Sequence, residues 1–173
     1  MEFILSKAVL RPWSLADADS LCLHANNINI ANNLRNAFPH PYTLKDAIAW
    51  LKGAETNSNL LLAISIDGKA VGGIGLIFQQ DIYKKNAEIG YWLSEDFWNL
   101  GIVTEGIEAV VQHAFKNLEL HRIYAGTFGT NKASQRVLVK AGFQLEATLK
   151  QAIFKNGVYL DECIMSILNP EAN

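Results

Sequence analysis

The sequence predicts a single α/β domain of the mixed, α+β kind, spanning residues 1–173, and two observations lead there. Half of its 173 residues are apolar, enough for a full core at this length. Strand-like and helix-like stretches alternate along the chain, with no internal repeat and no low-complexity linker.

The elements follow in order. Residues 8–13, Ala-Val-Leu-Arg-Pro-Trp, read as a short edge strand, because Pro12 cannot donate to a ladder. Ser14 caps a helix whose apolar positions are Leu15, Ala18, Leu21, Cys22 and Ala25. The Asn-rich run 26–36 is irregular or briefly helical, and Phe38-Pro39-His40-Pro41-Tyr42 is a loop. Thr43 and Asp46 form a capping box ahead of an apolar stripe of Leu44, Ala47, Ile48 and Leu51. Leu60–Ile66 and Ala70–Phe78 are strands joined at Asp67-Gly68, which supplies the positive-φ hairpin turn. Ala87–Leu93 is a strand. Thr104–Leu118 is the clearest helix, with Ile107, Val110, Val111, Ala114, Phe115 and Leu118 on one face. Arg122–Phe128 is a strand, and Asn131 caps a short helix that stops at Gly142. Two final strands cover roughly Phe143–Leu149 and Val158–Leu168.

Bulk properties exclude several function classes. A net charge of −2 leaves no basic footprint for nucleic acid and no polybasic segment for a membrane surface. No apolar run reaches bilayer-spanning length, and the first residues do not read as a signal peptide. Cys22 and Cys163 stand alone as core thiols, without metal-ligand spacing, so no metal is expected and a reducing cytoplasmic setting is. The four histidines, His24, His40, His113 and His121, show no ligand spacing either. Monomer and homodimer both remain open.

The segment with chemical character is Trp98-Asn-Leu-Gly-Ile-Val-Thr104, between a strand and the best helix. A helix N-terminus offers unpaired amides and the positive end of the dipole, and Gly101 lets backbone approach a ligand. That is a seat for a pyrophosphate. It is equally a tight connection capped by Thr104. Neither Walker A nor GxGxxG is present. About thirty residues on, Asn131-Lys-Ala-Ser134 precedes Lys140-Ala-Gly-Phe143. Asn131 caps there, which does not exclude a second role for the Ser134 hydroxyl on the first turn.

Three runs stand together in order and spacing: Ala87-Glu-Ile-Gly-Tyr-Trp-Leu93, Trp98-Asn-Leu-Gly-Ile-Val-Thr-Glu105, and Asn131-x-x-Ser134…Lys140-Ala-Gly-Phe143. In these the chain resembles the GNAT acetyltransferases, and most of all their RimJ/RimL branch, which acetylates protein N-termini. The opening Leu10-Arg-Pro-Trp13 with Asp17-Ala-Asp19 and the stretch from Tyr159 to Leu168 resemble that branch too, so the similarity covers nearly the whole chain. The resemblance implies a central, mostly antiparallel mixed sheet that splays after Ala87–Leu93 to admit acetyl-CoA, flanked by helices. The pantetheine arm would pair with backbone at Tyr91, Trp92 and Leu93. The pyrophosphate would meet amides of Trp98, Asn99, Leu100, Gly101, Ile102, Val103 and Thr104, and Asn131 would contact the cofactor near its thioester. The chain departs from the family's phosphate loop: Trp98 opens it, Asn99 and Leu100 replace Gly and Lys, and Val103 stands where Gly or Ala is commonest. Amide contacts survive such changes, while the loss of charge-assisted contacts predicts weaker affinity.

Acetyl transfer to an amine needs proton removal, carbonyl polarisation and protonation of the departing thiolate. Glu88, among apolar neighbours on the strand that lines the splay, is the family-based candidate base, directly or through water; its alternative is an exposed strand carboxylate. Ser134 is the candidate proton donor to the thiolate, or else a plain first-turn polar residue. Tyrosine serves this role in other GNAT enzymes, which keeps Tyr124 and Tyr159 in view. Trp92, Phe97 and Trp98 are potential walls. In the branch, the acceptor pocket is shaped by the region of Phe38, His40 and Tyr42. The expected function is thus an N-acetyltransferase using acetyl-CoA on a primary amine, a peptide or protein N-terminus first. The alternatives are a small amine (polyamine, aminoglycoside or amino acid) and a non-catalytic CoA-binding module.

Overall fold

The computed structural model describes residues 1–171. They form two compact units, Met1–Gly75 with Tyr91–Gly106, and Leu76–Gly90 with the chain from Ile107 onward. Strands β4 (Lys69–Phe78) and β5 (Asn86–Leu93) and helix α4 (Ile102–Asn117) contribute residues to both.

In the first unit the strand order is β1 (Phe3–Ile4), β2 (Val9–Pro12), β3 (Leu60–Ile66), β4. The strand expected at the edge, β2, is flanked instead by β1 and β3. β1 covers only Val9 and Leu10, so Pro12, opposite Leu62, still faces an open edge and withholds no ladder bond. The β3–β4 turn is as expected: Asp67 and Gly68 carry φ of 50° and 79°.

Ser14 caps a 3-10 turn at Leu15–Asp17, which runs into α1 (Ala18–Ala25). Helix α2 (Ile28–Ala31) is the brief helix of the Asn-rich run, and α3 (Leu44–Glu55) begins at the Thr43/Asp46 capping box. Leu21, Ala25, Tyr42, Ala47 and Leu51 form one core cluster, with Trp13, Cys22, Phe38 and Trp92 against it. The α3 stripe is only half used, since Leu44 and Ile48 are exposed.

Asp17 ties this end of the unit together. The Arg11 guanidinium donates to both its oxygens at 2.7 and 2.8 Å, and the Ser14 amide donates at 2.9 Å. Burial alone would push this carboxyl up, but the hydrogen bonds from Arg11 and Ser14 outweigh it and hold it below its ordinary range. A depressed carboxyl contributes fully above its unfolded pKa, near 3.9, and loses that contribution as pH falls through the folded value. Asp17→Ala is expected to lower the unfolding free energy by about 3 kcal/mol at neutral pH, because it strands Arg11. Urea titration checks this. The deficit should shrink at acidic pH, and a deficit independent of pH would remove Asp17 as the cause.

In the second unit the order is β4, β5, β6 (Arg122–Phe128), β8 (Val158–Leu168), β7 (Gln144–Lys155). β5 and β6 are parallel, whereas β6–β8 and β7–β8 are antiparallel, giving the expected mixed sheet. The apolar face of α4 buries Ile107, Val110, Val111 and Ala114. This helix begins at Ile102 rather than Thr104, so Thr104 sits within its first turn and does not cap it. Helix α5 (Lys132–Lys140) is capped by the Asn131 side chain, which accepts from the Ser134 amide at 3.1 Å. It stops where Gly142 turns to φ 89° and the Phe143 amide donates to the Leu138 carbonyl at 3.0 Å.

β7 runs six residues past the expected end at Leu149, to a tight turn at Asn156-Gly157 with φ of 51° and 81°. Its register slips between Leu149 and Ile153, and the strand is exposed on both faces for most of its length, so no period of two marks it. Among the described residues no helix is long and apolar enough to cross a membrane.

Candidate active site

In the first unit, β5 ends at the buried Leu93, and a 3-10 turn at Glu95–Phe97 leads into the loop before α4. The Trp98 indole donates back to the Leu93 carbonyl at 2.8 Å, which gives this unusual loop opener a structural duty. Asn99 and Gly101 then adopt left-handed φ of 62° and 82°. The first helical bond of α4 runs from the Glu105 amide to the Gly101 carbonyl at 3.1 Å. Among the described residues, none of the amides of residues 99–104 donates a hydrogen bond. Six consecutive unpaired donors, with two left-handed residues and a helix start among them, put a run of positive partial charge at the head of α4. The expected pyrophosphate residues Trp98, Asn99, Leu100, Gly101, Ile102, Val103 and Thr104 are therefore one continuous structure. A Cβ on Gly101 would meet nothing within 4 Å, so glycine serves backbone conformation there.

One contributor was invisible in sequence. The Ser6 amide and hydroxyl donate to the Glu105 carboxylate at 2.8 and 2.6 Å, which fastens the β1–β2 turn to the head of α4. The next residue, Lys7, lays its ammonium 3.5 Å from the Leu100 carbonyl. A cation thus stands at a loop that carries none of its own. Nothing in sequence links positions 7 and 100.

Of the expected acceptor residues, Phe38 and Tyr42 pack with tilted rings at 5.0 Å between centroids, and Phe38 meets Trp92 edge-on at 5.6 Å. Tyr42 is 4% exposed, and burial pushes its phenol up to about 12, so it acts as packing and as a neutral group. His40 is exposed on the loop. A separate concavity of about 240 Å³ is lined by His24, Asn26, Asn27, Ser94, Glu95 and Asp96. Asn29 and Asn27 donate to Glu95 and hold its carboxyl below the usual range. The Asn-rich run thus helps to wall the concavity that holds Glu95 and Asp96. His24 lies 3.0 Å from the Ser94 hydroxyl, and burial lowers its pKa, with Asp96 opposing and Lys69 adding to the shift.

In the second unit, Glu88 is half-buried, opposite Tyr124 at the last of three paired positions between β5 and β6. Beyond it, Ala125–Phe128 of β6 continue in antiparallel pairing with β8. The Arg122 guanidinium lies 4.8 Å over the Tyr124 ring and pairs with Glu146 at 2.6 Å. Ser134 is half-buried on the first turn of α5, and Asn131 is committed to capping it. Tyr159 is 67% exposed, its ring tilted against Phe154 at the far end of the β7–β8 hairpin, so of the two tyrosines Tyr124 is the one placed beside Glu88. No group of three or more His, Cys, Asp or Glu among the described residues is placed to hold a metal.

Comparison with known proteins identifies the family. Residues 7–144 match the family described as acetyltransferase (GNAT) domain. The chain is 39% identical over 105 residues to the probable N-acetyltransferase YjcK of Bacillus subtilis, covering 61% of this chain and 58% of that protein. It is 40% identical over 77 residues to the ribosomal-protein-serine acetyltransferase of Escherichia coli, covering 44% of this chain and 43% of that one. The matched region thus spans about half the length of these curated relatives. Among solved structures, the microcin C7 self-immunity acetyltransferase MccE, in complex with acetyl-CoA and AMP, superposes with a TM-score of 0.81. It is 26% identical and covers 95% of this chain and 93% of that one. With a family match over most of the chain and an α/β sheet of the same fold, this protein belongs to the GNAT acetyltransferase family.

Proposed function

We propose that the chain acts as one acetyltransferase domain, moving the acetyl group of acetyl-CoA to a primary amine at a peptide or protein N-terminus. The observation that carries the reading is the run of unpaired amides at residues 99–104 leading into α4, which suits a pyrophosphate. A ribosomal-protein acetyltransferase among the relatives supports a protein acceptor, and the acetyl-CoA in the MccE complex supports the cofactor. The same reading places the protein in the cytoplasm.

Acetyl-CoA, when bound, supplies an activated acetyl thioester. Tyr91, Trp92 and Leu93 would hold its pantetheine arm and the amides of residues 98–104 its pyrophosphate, with Asn131 near the thioester. Glu88 accepts the proton of the incoming ammonium, directly or through water, and so delivers a neutral nucleophile. The Ser134 hydroxyl would pass a proton to the departing sulfur and take in return the proton that the acylated nitrogen sheds, with the N-terminus of α5 steadying the charge; Tyr124 is the alternative donor. Phe38, His40 and Tyr42 shape the acceptor side. Orientation of the two reactants supplies much of the acceleration.

The test is release of free thiol from acetyl-CoA in the presence of a panel of peptides and small amines. Tight cofactor binding with no thiol release for any amine would favour a non-catalytic CoA-binding module. A second reading, a small polycationic acceptor, draws support from Glu95 and Asp96 in the 240 Å³ concavity. Acetylation of polyamines and not of peptides would select it. Lys7→Ala is expected to raise the acetyl-CoA dissociation constant about threefold at low salt and less at high salt, because the cation is exposed. Titration calorimetry at two ionic strengths checks this, and an unchanged constant at low salt removes Lys7 from the seat.

A further inference from the structure

The unit that holds Glu88 contains a second carboxylate that the mechanism above leaves unused. Glu162 lies on β8 opposite Phe128 of β6. Its carboxylate folds back along β6: a Cβ built on Gly126 would fall on one of its oxygens. Gly126 is two residues beyond Tyr124, so its Cβ direction is the face that the Tyr124 side chain occupies. Glu88 is the partner of Tyr124 in register, and registered neighbours share a face. The two carboxylates therefore belong to one face of the sheet, about 7 Å apart along the strand direction, and β5–β6 pairing ends between them.

Glu162 is half-buried, yet its carboxylate makes no hydrogen bond or ion pair among the described residues. The nearby cations are engaged elsewhere. Arg122 pairs with Glu146 and covers the Tyr124 ring, and Lys150 pairs with Asp161 at 2.8 Å. Leaving a carboxylate half out of water without a partner costs free energy, and a bound cation removes that cost. Gly126 supplies the space that the carboxylate occupies.

We infer that Glu162 is an acceptor-binding residue that receives a second positive charge on the amine substrate, while the reacting nitrogen goes to Glu88. The acceptor class is then a primary amine with another cation a short chain away: a diamine, or a peptide N-terminus followed closely by a lysine. This rests on the acetyltransferase reading above and narrows its acceptor. The role is one of binding and specificity, not of proton transfer.

The experiment compares KM and kcat for 1,4-diaminobutane with 4-amino-1-butanol, and for short peptides with lysine or norleucine at the second position. The wild-type protein should show at least a tenfold lower KM for the charged member of one pair, and which pair responds separates a small-molecule from a peptide source. Glu162→Gln should raise that KM about tenfold, to the level of the neutral analogue. It should leave kcat and acetyl-CoA affinity unchanged, and Glu162→Asp should restore part of the loss. Gly126→Ala, which pushes the carboxylate aside, should act in the same direction. Equal KM values within both pairs, or a charge preference that survives Glu162→Gln, overturns the inference and leaves the acetyltransferase reading standing. If no amine releases thiol, that reading fails, and equilibrium binding of 1,4-diaminobutane to wild type and Glu162→Gln decides this one: equal affinity overturns it.

Discussion

Glu88→Gln should lower kcat/KM for the amine about 100-fold or more near neutral pH, with acetyl-CoA affinity unchanged. Glutamine keeps the size of the side chain and its place opposite Tyr124, but it cannot take a proton, and a positioned base is worth roughly 10²–10⁴-fold. The effect should fall on the chemical step, because the unpaired amides at residues 99–104 do not involve Glu88. Steady-state kinetics of wild type and variant across pH provide the check. Glu88→Asp then separates two routes. A shortened side chain that must touch the ammonium loses most activity, whereas one that works through water retains much of it. A kcat/KM profile identical to wild type in both variants would sink Glu88 as base.

Gly101→Val should weaken acetyl-CoA binding by about 10- to 100-fold, and the reason lies in the backbone. At φ 82° a β-branched residue is strained by about 1–3 kcal/mol, although a Cβ there would meet no protein atom within 4 Å. The variant relieves strain by rotating out of the left-handed region, which turns the neighbouring amides away from a common focus. Gly101→Ala, with one methyl and no branch, should fall between the two. Calorimetry with acetyl-CoA measures the change, and a urea midpoint near that of wild type shows that the fold has survived. A wild-type dissociation constant for Gly101→Val would remove the loop from the cofactor seat.

Much of the fold is legible wherever chemistry within a few residues decides the outcome. Asp67-Gly68 specifies its turn through positive φ, and Asn131 and Gly142 bound α5 through their own side chain and backbone. The stripe of Ile107, Val110, Val111 and Ala114 places α4, because burial of one face needs that spacing. Legibility fails where no such period exists. The far half of β7 is exposed on both faces, so only the Asn156-Gly157 turn could have revealed it. β1 is two residues long, too short for a pattern. Thr104 reads as a cap from its residue type, yet the chain enters the helix two residues earlier, at the buried Ile102.

The candidate site divides in the same way. By itself the sequence determined the elements and the residues whose roles are local: the strand bearing Glu88, the Gly101 loop that opens α4, and the Asn131 cap with Ser134 behind it. The tertiary structure alone decided which distant groups join them. Ser6 reaches Glu105 of α4, and Lys7 reaches the Leu100 carbonyl in the loop before it, each across more than ninety positions. The Asn-rich run closes on Glu95 across nearly seventy, and Glu162 folds onto Gly126 only because β8 lies beside β6. Hydrogen bonds and charges act through space and leave no periodicity along the chain. Caps, turns and amphipathic stripes act within a few residues of themselves, and for that reason they can be read in order.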